Sequence, residues 1–186
     1  MLPVAESTQR LFIALTPPES VRGAVAALAQ PFHGVRWTPV DQIHVTLRFL
    51  GDIESSRQPL LLDRLSEIRV DSFPLPVEGA GVFPAKGPPR VLWVGVGSGH
   101  PRLHQLRQKI DDALLSVDIA AEVRAFHPHL TVGRATEHAA SAVNAWARSH
   151  RDFAGPVFSV DAFELYQSEL RRSGPEHTLI ARFPLG

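Results

Sequence analysis

The chain has 186 residues, 44% hydrophobic and 20% charged, which is the size and makeup of one globular domain or of two small lobes sharing a cleft. Its 19 cations and 19 anions cancel, arguing against a broad phosphate-contacting surface for duplex nucleic acid, and the lack of cysteine removes disulfides, a thiolate nucleophile and a Cys-ligated zinc. No apolar run approaches 18 residues and no basic-then-apolar segment opens the chain, so a cytoplasmic protein with no membrane partner is expected. Only Lys86 and Lys109 are lysines, so an anion site would be built mainly from arginine, a bias that the base composition of the encoding gene explains equally well.

In chain order, Arg10–Leu15 is a β-like apolar run and Pro18–Gln30 reads as a helix with Val21, Val25 and Leu28 on one face, entered through Thr16 as N-cap and Pro17–Pro18. A strand follows over Ile43–Phe49, then a helical stretch over Arg57–Arg69 and a strand near Leu75–Ala80. The Gly- and Pro-rich segment Val82–Pro89 is the expected boundary between halves. Beyond it the order repeats: strand Val91–Gly97, helix Pro101–Leu115 with Leu103, Leu106, Ile110 and Leu114 on one face, a strand beginning at His129, helix Glu137–Ser149 and a strand near Val157–Tyr166. Thr178–Phe183 adds a last strand that crosses back to the first lobe. The repeat predicts an α+β fold of two antiparallel sheets related by a pseudo-two-fold axis, helices on their outer faces and a central cleft, within a single domain of lobes at roughly 1–85 and 86–186.

The two halves carry the same tetrad, His44-Val45-Thr46-Leu47 and His129-Leu130-Thr131-Val132, 85 residues apart. Nine His and seven Thr in 186 residues would give about 0.3 His-x-Thr by chance, so the pair is far more specific than either copy. On a strand, the two-residue period turns each His and Thr to one face and Val45, Leu47, Leu130 and Val132 to the core. Each strand then offers a base titrating near neutrality beside an uncharged donor, the combination that holds a phosphoryl group between an acid and a base.

Other residues are more open. Arg134, three past Thr131, either reaches the same anion or ends its strand in solvent, and Arg48 shares the face of His44 and Thr46 by parity, pointing into the cleft or beyond it. His127 lies on the face of His129; with no carboxylate or cysteine at ligand spacing it reads as a framework residue, and no metal is expected. Trp37, Phe49 and Phe83 would stack on a base or pack in the core.

The two tetrads, with Arg10-Leu11-Phe12-Ile13-Ala14-Leu15, Arg48-Phe49-Leu50-Gly51, Pro89-Arg90-Val91-Leu92-Trp93-Val94-Gly95-Val96, Phe126-His127-Pro128, Gly133-Arg134 and Ser168-Glu169-Leu170, make the sequence resemble the 2H phosphoesterase superfamily, named for its two His-x-Thr motifs. The segments around the tetrads resemble its RNA 2',3'-cyclic phosphodiesterase branch, also called the 2'-5' RNA ligase family. That resemblance implies a metal-free bilobal α+β enzyme without cofactor, acting on RNA with a 2',3'-cyclic phosphate end, such as a tRNA fragment, and leaving a 2'-phosphomonoester; a monomer is expected. It implies His44 as proton donor, His129 as proton acceptor, and Thr46, Thr131 and Arg134 as phosphate ligands. Ligation of 2'-5' linkages would be the same path reversed. His177 departs from the aromatic such as Tyr that the family would carry before its last strand. Rival readings are a 2H enzyme for another cyclic phosphate or for 2'-5' oligonucleotides, an RNA-end-binding module without catalysis, and a His-metal hydrolase.

Overall fold

In the computed structural model residues 7–171 and 174–186 are described. The strands are β1 (Thr8–Leu15), β2 (Val35–Trp37), β3 (Val45–Glu54), β4 (Phe73–Leu75), β5 (Val77–Phe83), β6 (Val91–Val96), β7 (His129–Ala135), β8 (Phe158–Val160), β9 (Ala162–Arg171) and β10 (Gly174–Pro184). The helices are α1 (Glu19–Ala26), α2 (Gln58–Ser66), α3 (Pro101–Leu115) and α4 (Ala140–Ser149).

The α+β class with antiparallel sheets holds. Eight strands form one sheet in the order β10-β9-β1-β3-β7-β6-β5, with β2 also on β7, while β4 and β8 pair separately. Its middle is nearly cut through, because β3 and β7 share a single residue pair, Val45 with Leu130. On either side of that seam lie two antiparallel half-sheets, β10-β9-β1-β3 and β7-β6-β5 with β2.

The halves exchange elements. β9 and β10, last in the chain, line up outside β1, and β2 from the first half of the sequence sits on β7. α1 packs against β7 and α3 against β3, each opposite its own half of the chain. Such swapping follows from burial: Leu11, Ile13, Val45, Leu47, Leu92, Val94, Leu130 and Val132 belong to one continuous apolar cluster that also takes in Leu103, Leu106, Ile110 and Leu114 of α3. The segment 82–89 does not divide the halves. It turns a hairpin inside the second one, because Val77–Phe83 pairs along its length with Val91–Val96.

Helix ends differ from the hydrophobic pattern for local reasons. α1 stops at Ala26, and the carbonyls of Leu28 and Gln30 are taken by the indole N–H groups of Trp146 and Trp37 at 2.8 and 2.7 Å. Thr16 does not cap α1: its hydroxyl lies 2.8 Å from the Tyr166 hydroxyl, and Pro18 stands at the N-cap. Pro76 and Asp161 divide the two long strands expected near 75–80 and 157–166 into β4 with β5 and β8 with β9. β2 is too short to show a period, and only its pairing with β7 reveals it.

Candidate active site

His44 stands at the entry to β3 and His129 at the first position of β7, so both imidazoles flank the seam. Continuing the Val45–Leu130 register by one residue each way sets His44 across from Thr131 and Thr46 across from His129. Val45, Leu47, Leu130 and Val132 are buried, so the four functional side chains turn away from the core.

Both rings are held in the same way. His44 Nδ1 donates to the carbonyl of Gln42 and His129 Nδ1 to that of His127, each two residues back and each at 2.7 Å. A carbonyl only accepts, so Nδ1 carries the hydrogen and Nε2 is left to exchange protons with a ligand. His127 thus serves through its main chain, and its exposed ring stands 6.1 Å from that of Phe83. Among the described residues no group of three or more His, Cys, Asp or Glu is placed to hold a metal ion.

A β-bulge follows each threonine. β3 slips against β1 between Ile13–Arg48 and Ala14–Thr46, and β7 slips against β6 between Leu92–Gly133 and Trp93–Thr131. Each extra residue inverts the alternation beyond it. Arg48 is therefore not on the cleft face as parity predicted: it pairs with the buried Ile13 and is itself buried. There its Nε lies 3.1 Å from Asp111 Oδ1 and its Nη1 3.1 Å from Glu122, and it also donates to the Ala120 carbonyl. Arg107 closes the cluster with Asp111 and, at 3.4 Å, with Glu122. By the same inversion the third residue past each Thr returns to the cleft. In β3 this is Phe49, paired with Phe12, and in β7 it is Arg134, paired with Val91.

The charge of Arg134 reaches both imidazoles and is the smallest of the influences that depress them. Burial, aided by the neighbouring charges of His177, His129 and Arg134, lowers His44 from 6.5 to about 4. His129 is lowered by burial and then by the charges of His127 and Arg134. Both rings are thus neutral near pH 7.

Aromatic walls flank the pair. Phe12 lies 5.1 Å from His44, 5.4 Å from Tyr166 in a stack and 4.9 Å from His177, whose ring meets His44 edge-on at 5.3 Å. His177 lies within the last strand, β10, across from Ser168, and not before it as expected. A cavity of about 330 Å³ opens there, lined by Phe12, Thr16, Gln42, His44, Tyr166 and His177. On the other side Phe83 stacks on Trp93 at 5.1 Å and meets His129 edge-on at 5.1 Å. The indole rests over Gly81, where any Cβ would overlap it. Trp37 instead packs between Phe32 and Trp146, away from the site. Phe12, Trp93 and Tyr166 lie in runs that read as ordinary core strands, so the sequence alone does not assign them to the site.

The family profile described as LigT like phosphoesterase matches residues 15–93 and then 94–177, one tetrad in each span. The chain belongs to the LigT-like phosphoesterase family. This phosphoesterase is similar to the RNA 2',3'-cyclic phosphodiesterase of Aeropyrum pernix, 34% identical over 73% of this chain and 77% of that one. It is also similar to the protein of that name from Thermus thermophilus, 32% identical over 95% and 90% of the two chains. The crystal structure of Escherichia coli LigT complexed with 3'-AMP matches with a TM-score of 0.78 at 26% identity, covering 96% of this chain and 99% of that one. Among the described residues no helix is long and apolar enough to cross a membrane.

Proposed function

We propose that this phosphoesterase hydrolyses RNA ends bearing a 2',3'-cyclic phosphate to 2'-phosphomonoesters, by acid–base catalysis between His44 and His129 without a metal, as a monomer of two pseudo-symmetric lobes. The observation that carries the reading is the matched pair of imidazoles, each fixed through Nδ1 to the carbonyl two residues back and each beside a threonine hydroxyl at the seam.

Opening a cyclic phosphodiester requires a proton taken from water on one side of phosphorus and a proton given to the departing ribose oxygen on the other. His129 Nε2 accepts the water proton as oxygen bonds to phosphorus, and His44 donates to the 3'-oxygen as the P–O3' bond breaks, leaving phosphate on the 2'-oxygen. The phosphodiester's negative charge opposes the depression that burial and Arg134 impose on His44, so the substrate itself favours the charged acid. Thr46 and Thr131 donate to the non-bridging oxygens and Arg134 supplies the positive charge, roles that preorganised donors fill at developing oxyanions. The names of the relatives from Aeropyrum pernix and Thermus thermophilus point to the same substrate class.

The deciding experiment is product analysis on a short RNA with a 2',3'-cyclic end, with and without EDTA. Conversion to the 2'-phosphate at the same rate in chelator is expected. A 3'-phosphate product, or loss of rate in EDTA restored by Zn²⁺ or Mn²⁺, would overturn the two-histidine mechanism.

A further inference from the structure

Arg36 has no part in the tetrads. β2 lies on β7 in a register that sets Arg36 directly across from Arg134, with Trp37 across from Gly133. Cross-strand partners share a face, and Arg134 faces the cleft with Val91, so Arg36 stands beside it there. Like charges directly opposite on neighbouring strands are destabilising. Neither guanidinium forms an ion pair among the described residues, whereas Arg48, Arg90 and Arg107 each have a carboxylate. Arg36 also extends toward the other half, since a Cβ on Gly174 at the start of β10 would stand 3.2 Å from its Nη1. Two arginines paired across neighbouring strands, neither in an ion pair among the described residues, form a local cationic step in a molecule of zero formal net charge.

We propose that Arg36 is the subsite for a second phosphate: Arg134 serves the cyclic phosphate, and Arg36 holds the phosphodiester next to it in the RNA strand. The inference rests on the function proposed above and adds the residue that reads the strand next to the reacting end. A planar fork suits two non-bridging oxygens, and a ligand with two successive negative charges relieves the repulsion built into the β2–β7 pair.

The test compares adenosine 2',3'-cyclic phosphate, which has no second phosphate, with a short oligoadenylate ending in the same group. Wild type is expected to favour the oligonucleotide in kcat/KM, and Arg36→Gln to cut that ratio about tenfold, as for a charged hydrogen bond at an accessible site, through KM. Arg36→Lys should restore part of the preference, and the salt dependence of oligonucleotide binding should shallow by about 0.7 in log–log slope in the Gln variant. Binding of an oligoadenylate with a 2'-phosphate end, followed by fluorescence anisotropy, repeats the comparison without turnover. If wild type turns over neither substrate while Arg36→Gln still weakens oligonucleotide binding, the proposed reaction fails and the subsite stands. An unchanged ratio together with unchanged oligonucleotide affinity in a folded Arg36→Gln protein would overturn the subsite.

Discussion

The two tetrad strands share a frame and differ in what surrounds it. Both hold an imidazole through Nδ1, both set Thr two residues on, and both bulge immediately after it. In β3 the bulge brings Phe49, 57% exposed, to the cleft; in β7 it brings Arg134. His44 is enclosed by Phe12 and His177 and driven to about 4, while Phe83 and Trp93 flank His129. On the proposed mechanism one imidazole must be protonated while the other is neutral, and unequal surroundings bias which ring holds the proton. The repeat supplies two imidazoles held alike, and the unequal walls give them different surroundings.

The sharpest way to break the comparison is to remove either ring. His44→Ala and His129→Ala should each lower the rate at least about 10²-fold, and the double variant should lose far less than the product of the two, since acid and base act as a unit. Multiplicative losses, read from single-turnover rates on a cyclic-ended RNA, would mean that the rings work independently.

Removing a donor comes next. Thr46→Val and Thr131→Val keep the β-branched shape, and each should lose about 2–4 kcal/mol of transition-state stabilisation, equally in the two strands if the frame is symmetric. Arg134→Lys should also be harmful, because an ammonium does not reproduce the fork, whereas Phe49→Ala, its counterpart, should affect KM more than kcat. Equal effects at Phe49 and Arg134 would show that the charge at this position is not what differentiates the halves.

The bulges also mark the limit of what could be read beforehand. The tetrads, the apolar faces of α1 and α3 and the repeated order were legible because each follows a simple period. Arg48 departs from parity because one extra residue at the β1–β3 slip beside Leu47 inverts the alternation as far as the second slip at Leu50, and nothing in the local composition announces either slip. Arg36 was invisible because its position depends on β2 reaching across to β7, a contact made 98 residues along the chain. Arg48 in turn yields a stability prediction. Arg48→Met would leave Asp111 and Glu122 with Arg107 alone and should destabilise the fold by about 2 kcal/mol in urea unfolding, since two mostly buried carboxylates would then share one guanidinium.

The smallest effect expected is a slope, and it compares the walls rather than the strands. Burial lowers His44 from 6.5 to about 4, and burial raises Glu164 from 4.5 to about 7, although the Thr16 amide donates to its Oε2 at 3.2 Å and Arg182 lies 3.6 Å from its Oε1. Between pH 4.5 and 6.5 the unfolded chain carries its proton on the imidazole and the folded chain on the carboxyl, so this pair takes up no net proton on unfolding and its terms cancel. The His44 contribution is present above 6.5 and lost as pH falls toward 4; that of Glu164 is present below 4.5 and lost as pH rises toward 7. Glu164→Gln leaves the imidazole unopposed, and stability should then fall with decreasing pH more steeply than in wild type, by up to about 1.4 kcal/mol per pH unit. His44→Gln should tilt the curve the other way by a similar amount, over a wild-type slope to which the lowered His129 and His177 also contribute. Urea unfolding of the three proteins at half-unit steps checks this. Parallel curves would mean that neither group is displaced on folding, and that the difference between the two imidazoles arises only once substrate is bound.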